Sequence, residues 1–336
     1  MKFRFLATDF AIDLGSSNIL VYKKNEGIIA NEPSVIVLDD NSSKVLAVGD
    51  EAKEMIGKTN QSFQVVKPVV NGAITNFNLT EALLNYFFKK VNEGMSVLQA
   101  KSIITTPLSI TDIQARAIED AALHAGSRDI ILIDQSLASA YGMGLDADKS
   151  SGILLLNLGA GVSEVSVIAL NSVIAYKSVN KGGDYIDQLI IDYLKENHSL
   201  EVGENTAEYI KNELASLRVK DKDNSLSIDG KDILSAKPKS ITLKSSDLID
   251  CILPYSDMII DMIYEVLEKC PPELTSDIKK KGIALTGGVS KLKGMSDAIK
   301  NKTNLNIIQS EDPLTDAIRG AGIILEDLSR YDKYRK

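Results

Sequence analysis

The chain has 336 residues, a formal net charge of −8 and a pI near 5.0, with 44% hydrophobic and 25% charged residues. This is the make-up of a globular protein with material for about two cored domains. An acidic balance, few aromatics and no Trp argue against a phosphate-backbone or base-stacking surface, so no nucleic-acid partner is expected.

From the N-terminus, FAIDLG, NILVYKK and SVIVLDD read as short strands separated by turn residues. LTEALLNYFFKKVNEG has helical apolar spacing, with Thr80 predicted as N-cap and Gly94 as the stop. AKSIITTP is a strand, SITDIQARAIEDAALHAGS a helix ending at Gly126, DIILID a strand and SLASAYGMGL a helix. This alternation predicts an α/β fold. The pattern then restarts: SGILLLNLGAGVSEVSVIALNSVIAYKSV repeats strand, glycine turn, strand, turn, strand, and IDLGSSNILVY matches LNLGAGVSEVSVI. Such a repeat predicts two similar domains. Further on, GGDYIDQLIIDYLKEN and TAEYIKNELASL read as helices. VKDKDNSLSIDGKDILSAKPKSITLKSS reads as a hairpin with its turn at DG. DLIDCILPYSDMIIDMIYEVLEKCPPEL reads as one long helix bearing Pro254, and GIALTGGVSKLKGMSDAIKNKT as strand, glycine turn and helix.

Three glycine turns lie at strand ends, at 13–18, 157–164 and 286–290. Glycine lets backbone amides approach a phosphate, and exposed N–H groups form an anion nest, to which helix N-termini add partial charge. Two such loops in a duplicated hairpin, with a third alongside, can clamp a triphosphate between domains. Asp13 is the natural group to organise magnesium, directly or through waters, because that ion keeps much of its hydration shell. Cys251 and Cys270 lack metal-ligand spacing and read as idle thiols in a reducing cytoplasm. His124 and His198, far apart, argue against histidine catalysis. The opening MKFRFLATDFAIDLG, interrupted at Asp9, is too short for a signal peptide or spanning helix.

At these residues the sequence resembles the actin superfamily and, specifically, the MreB family. The resemblance runs through AIDLGSSNILVY, GIIANEPSVIVL, AVGDEAKEMIGKT, KPVVNGAITNFNLTEALLNYF, NKGGDYIDQLIIDYLK, GIALTGGVSKLKGM and DPLTDAIRGAGIILEDL, nearly the whole chain in order. It implies an actin-like fold: two duplicated ribonuclease-H-like domains flanking a nucleotide cleft, each with a small inserted subdomain. The boundaries expected are 1–31, 67–145 and 313–336 for subdomain IA and 32–66 for IB. Those for IIA are 146–182 and 246–312, and for IIB 183–245. It also implies ATP (or ADP or GTP) with Mg2+ in the cleft, and homopolymeric filaments at the inner face of the cell membrane that support cell shape. By resemblance, Ser16, Ser17 and Asn18 form the first phosphate loop, Gly159, Ala160 and Gly161 the second, and Gly287, Gly288 and Val289 the third. Gly182, Gly183 and Asp187 match a GGD..D segment near the nucleotide, and Glu208, Lys211 and Asn212 a segment bordering ribose and base.

The second loop of that family reads D-I-G-G-G-T-T-E. Here Asn157 stands for the aspartate, Ala160 for a glycine and Val162 for the first threonine. As a metal-site residue Asn157 still offers a carbonyl to a magnesium-bound water, but no charge. The family's E-E-P becomes Asp134, Gln135, Ser136, so the catalytic candidate Asp134 carries a shorter arm than the glutamate it replaces. Misplacement of about 1 Å can cost on the order of a hundredfold where positioning is the catalysis. Weak ATP hydrolysis or slow phosphate release is therefore expected. A scaffold locked on its nucleotide is a structural alternative, and a small-molecule kinase of the same fold a further one. Met95, Val97 and Leu98 are a candidate membrane-contact loop. The tail bearing Arg330, Lys333, Arg335 and Lys336 could reach anionic lipid.

Overall fold

The computed structural model describes residues 8–40, 42, 44–57, 63–91, 100–218 and 223–328. Gly94, the candidate membrane residues Met95, Val97 and Leu98, and the basic tail 330–336 lie outside these residues.

The chain begins with an antiparallel meander, β1 (Phe10–Leu14), β2 (Asn18–Lys23) and β3 (Gly27–Pro33). A small unit follows: β4 (Ile36–Asp39), β5 (Val45–Val48), α1 (Asp50–Met55) and β6 (Phe63–Val66), its strands ordered β5-β4-β6. After the short pair β7 (Val69–Val70) and β8 (Ala73–Ile74) come α2 (Phe77–Val91), β9 (Lys101–Thr106), α3 (Asp112–His124), β10 (Asp129–Asp134) and α4 (Gln135–Gly142). Strands β9 and β10 join parallel to β1, giving the order β10-β9-β1-β2-β3.

The second half repeats this plan. Its meander is β11 (Ile153–Leu158), β12 (Ser163–Ala169) and β13 (Ser172–Val179). Then come α5 (Gly183–His198), β14 (Leu200–Glu201), α6 (Glu204–Glu213), β15 (Ser225–Asp232), β16 (Pro238–Lys244), α7 (Ile249–Glu268) and α8 (Pro272–Lys281). Strand β17 (Ile283–Thr286), α9 (Met295–Thr303), β18 (Ile307–Gln309) and α10 (Asp316–Glu326) close the described chain. The sheet order β18-β17-β11-β12-β13, with β17 and β18 parallel to β11, has the same topology as the first sheet. The predicted duplication is thus a duplication of whole sheets.

Strand alternation sorts the side chains. Phe10, Ile12 and Leu14 enter the core under α2 and α3, while Ala11 points to the opposite layer. Leu154, Leu156 and Leu158 enter the core with α5 and α7, while Ile153 and Leu155 face the same opposite layer as Ala11. That shared layer contains Leu137 and Tyr141 of α4 with Ile318, Ile324 and Leu325 of α10. Two helices therefore sit between the sheets, and both glycine hairpins open onto the space beside them.

Three local expectations are corrected. Thr80 is not an N-cap. Helix α2 starts at Phe77, Asn76 Oδ1 accepts the Leu79 N–H, and Thr80 is buried with its hydroxyl on the Asn76 and Pro68 carbonyls. Asp229-Gly230 is not the turn but lies within β15, and the chain reverses at 233–237. Gly230 serves close packing instead: a Cβ there would lie 2.7 Å from the Glu201 carbonyl oxygen. The long helix stops at Glu268, and Pro271-Pro272 opens the separate helix α8, where a missing N–H costs nothing in the first turn.

Candidate nucleotide site

Between the halves lies a cavity of about 590 Å³, a size typical of small-molecule sites. Its wall includes Asp13, Ser16, Ser17 and Asn18 from the first turn, and Asn157, Gly159 and Ala160 from the second. Gly287, Gly288 and Val289 come from the third, with Gly183, Glu208, Lys211 and Asn212 from α5 and α6. Four of the predicted residues, Asp134, Gly161, Gly182 and Asp187, do not line it. Gln135, Ser139, Asn31, Asp184, Lys291, Lys293 and Leu314 do, and sequence reasoning did not single them out as site residues.

The turns are built by short-range bonds. In the second, the Gly159 N–H donates to the Val162 carbonyl at 2.9 Å, and Gly161 abuts the Ser16 hydroxyl of the first turn. Ser16 Oγ accepts the Gly72 N–H at 3.2 Å, and Asn18 Nδ2 donates to Asn31 Oδ1 at 2.7 Å. The first N–H groups of α5 point at protein. Gly183 donates to the Gly159 carbonyl at 3.0 Å and Asp184 to that of Ala160 at 2.9 Å. The GGD..D segment therefore supports the second glycine turn from behind. The helix dipole still acts at that turn.

Asp13 and Asn157 occupy equivalent places in the duplicated sheets, Asp13 beside Thr105 of β9 and Asn157 beside Thr286 of β17. Both are buried. Asp13 accepts from the Thr105 hydroxyl and from Gln135 Nε2 at 2.9 Å; burial raises its pKa, against the effect of these bonds. Asn157 Nδ2 donates to Gln135 Oε1 at 3.1 Å. One carboxylate and one amide suit an ion that keeps its waters and arrives on a phosphate. Among the described residues no group of three or more His, Cys, Asp or Glu could cage a metal by itself. The donor set therefore fits magnesium carried on a nucleotide, with Asp13 and Asn157 as the residues that would hold it.

Asp134 ends β10 and takes the N-cap position of α4, without a side-chain cap bond. Behind it lies Glu164, buried, accepting from Leu108 N–H at 2.7 Å, Ser136 Oγ at 3.1 Å and Ser178 Oγ at 3.1 Å. Burial pushes its pKa up to about 7, and nearby Asp134 adds to the rise. Asp187 pairs with Lys211 at 2.7 Å and faces a side cavity rather than the main one; burial lifts it to about 6 despite that lysine. Across the mouth, Lys53 meets Glu208 at 3.4 Å and Lys67 meets Glu204 at 3.1 Å.

Two five-stranded sheets of one topology, joined by a helix pair and enclosing a glycine-walled cleft, define an actin-like fold. The comparisons narrow this. The family profile described as MreB/Mbl protein matches residues 7–333. The cell shape-determining protein MreB of Escherichia coli (strain K12) is 35% identical over 331 residues, covering 97% of this chain and 95% of that one. The cell shape-determining protein Mbl of Bacillus subtilis (strain 168) is 33% identical over 327 residues, 97% and 98% of the two chains. The crystal structure of MreB5 of Spiroplasma citri bound to ADP superposes with a TM-score of 0.92 at 26% identity, over 98% of this chain and 99% of that one. The chain belongs to the MreB/Mbl family.

Proposed function

We propose that this protein binds ATP with magnesium in the cleft, assembles with copies of itself into filaments, and turns the nucleotide over slowly. The observation that carries this reading is the cavity of about 590 Å³ walled by three glycine turns with Asp13 and Asn157 beside them. The MreB5 relative holds ADP. Bound there, magnesium would neutralise phosphate charge. The chain's part is to hold the phosphates on the loop amides. Slow turnover rests on the short arm of Asp134, which does not line the cavity, and on Val162, a buried apolar side chain where the family has a hydroxyl. A positioned water needs polar partners, and this cleft supplies fewer of them.

Pelleting and electron microscopy with ATP, ADP and a non-hydrolysable analogue, beside a phosphate-release assay, test the reading. Filaments with ATP and slow release support it. Filaments formed equally with the analogue and without release identify a nucleotide-locked scaffold. A chain that neither binds nucleotide nor assembles overturns both. We also propose that the filaments lie on the inner face of the cell membrane. Among the described residues no helix is long and apolar enough to cross a membrane, so contact would be peripheral. Liposome co-sedimentation of the full chain, with and without 330–336 and with Met95, Val97 and Leu98 made polar, tests this: undiminished binding in both variants excludes both segments.

A further inference from the structure

Two amides, Asn157 and Gln135, stand at positions where the resemblance to the family leads one to expect carboxylates. The amides touch each other, and Gln135 also bonds Asp13. Asp13 Oδ1 accepts from the Thr105 hydroxyl and, at 2.9 Å, from the Gln135 amide nitrogen. That turns Gln135 Oε1 toward Asn157, and only the Asn157 NH2 can answer it, at 3.1 Å. The polarity of the relay runs from the Asp13 end. Its last free atom is Asn157 Oδ1, an acceptor, at the wall of the cleft that Asn157 lines.

We propose that Gln135 is a positioning residue that fixes the Asn157 carboxamide with its oxygen toward the metal-bound nucleotide, so that the site is assembled before the metal arrives. This rests on the nucleotide reading above. An unrestrained asparagine would present its NH2 half the time, and an NH2 next to a cation or its waters' oxygens is the wrong group. An aspartate has no such orientation to set, because both its oxygens accept. A residue that orients asparagine should therefore matter only when position 157 is asparagine. A residue that merely fills space should matter equally with either.

The test is a double-mutant cycle on the full chain. Gln135→Met keeps length and removes both hydrogen bonds, Asn157→Asp removes the need for orientation, and the double variant combines them. Affinity for ATP carrying a fluorophore on its ribose is measured with magnesium and with chelator. Loss of an outer-shell partner commonly costs about 10–100-fold in metal affinity. With Asn157 unchanged, Gln135→Met should lower the magnesium-dependent gain, the ratio of affinity with magnesium to affinity with chelator, about tenfold; in the Asn157→Asp background the gain should change by less than about twofold. Equal losses in both backgrounds, or no loss in either, overturn the proposal. Absence of binding in every protein and buffer overturns the nucleotide reading, and the relay with it. The unmutated protein supplies a second reading if the methionine variants do not fold. With selective nitrogen labelling, the Asn157 side-chain amide, identified by its loss in Asn157→Asp, should exchange with deuterium at least about tenfold more slowly than exposed asparagines without nucleotide. Exchange as fast as theirs overturns the proposal.

Discussion

Glu164 is held by two serine hydroxyls and a main-chain N–H, yet its carboxyl stays protonated up to about pH 7 because burial outweighs those bonds. Its ordinary value is 4.5. Between pH 4.5 and about 7 the folded chain holds a proton that the unfolded chain has lost, so stability falls as pH rises through that window and stays at the lower level above it. Asp187, lifted from 3.8 to about 6, contributes with the same sign over its own window. The Glu164 part is on the order of 3 kcal/mol at full ionisation. Glu164→Gln keeps an acceptor for Leu108 and does not titrate. It should therefore flatten the fall in melting temperature between pH 5 and pH 8 and melt higher than the unmodified chain at pH 8. Parallel melting curves against pH would refute this account. At the same scale, Asp134→Glu combined with Val162→Thr restores a longer arm and a hydroxyl, and phosphate release should rise about tenfold or more. An unchanged rate would move the cause of slow turnover away from these positions.

Among the elements, α5 has the clearest tie to the site, because its first N–H groups hold the carbonyls of Gly159 and Ala160. The contact is close enough that a Cβ at Gly182 would lie 2.3 Å from the Gly159 carbonyl oxygen and 2.4 Å from that of Ala160. Gly182→Ala must push the second loop into the cleft. Nucleotide affinity should drop about tenfold, equivalent to about 1.4 kcal/mol, in a titration with a fluorescent ATP analogue. Helix α3 gives a control remote from the cleft. Thr111 caps it reciprocally with Gln114, and Thr111→Ala should cost about 1 kcal/mol in urea denaturation while nucleotide affinity is retained.

In the whole molecule, α4 and α10 form the joint between the halves. They pack backbone to backbone, and a Cβ at Gly320 would sit 1.7 Å from the Ala138 carbonyl oxygen. Gly320→Ala forces the helices apart inside the layer that both sheets share. Urea denaturation should report a loss of about 3 kcal/mol, and nucleotide binding should weaken with it because the cleft walls shift. The ion pairs across the mouth, Lys53–Glu208 and Lys67–Glu204, are solvent-exposed and contribute little to stability. Being exposed, they are weakened further by salt.

Local chemistry was readable from the residues alone. Strand alternation, the glycine turns, the end of α3 near Gly126 and the repeat of one hairpin motif 144 residues later, Asp13 to Asn157, all depend on neighbours in sequence. Such features predicted an α/β fold of two similar domains with glycine turns at strand ends, while the resemblance to the MreB family supplied the actin-like architecture and half of the residues that line the cavity. Errors came where a distant contact overrode a local signal. Asp229-Gly230 looks like a turn, but β14 packs on it, and Thr80 looks like a cap, but the Pro68 and Asn76 carbonyls claim its hydroxyl. Only the tertiary structure showed that Gln135 joins Asp13 to Asn157, that Glu164 gathers donors from both halves, and that Asp187 turns to a side cavity with Lys211. The partners in these contacts lie between 14 and 122 residues apart along the chain. Hydrogen-bond polarity and burial are properties of what surrounds a side chain in space, and spacing along a chain does not carry them.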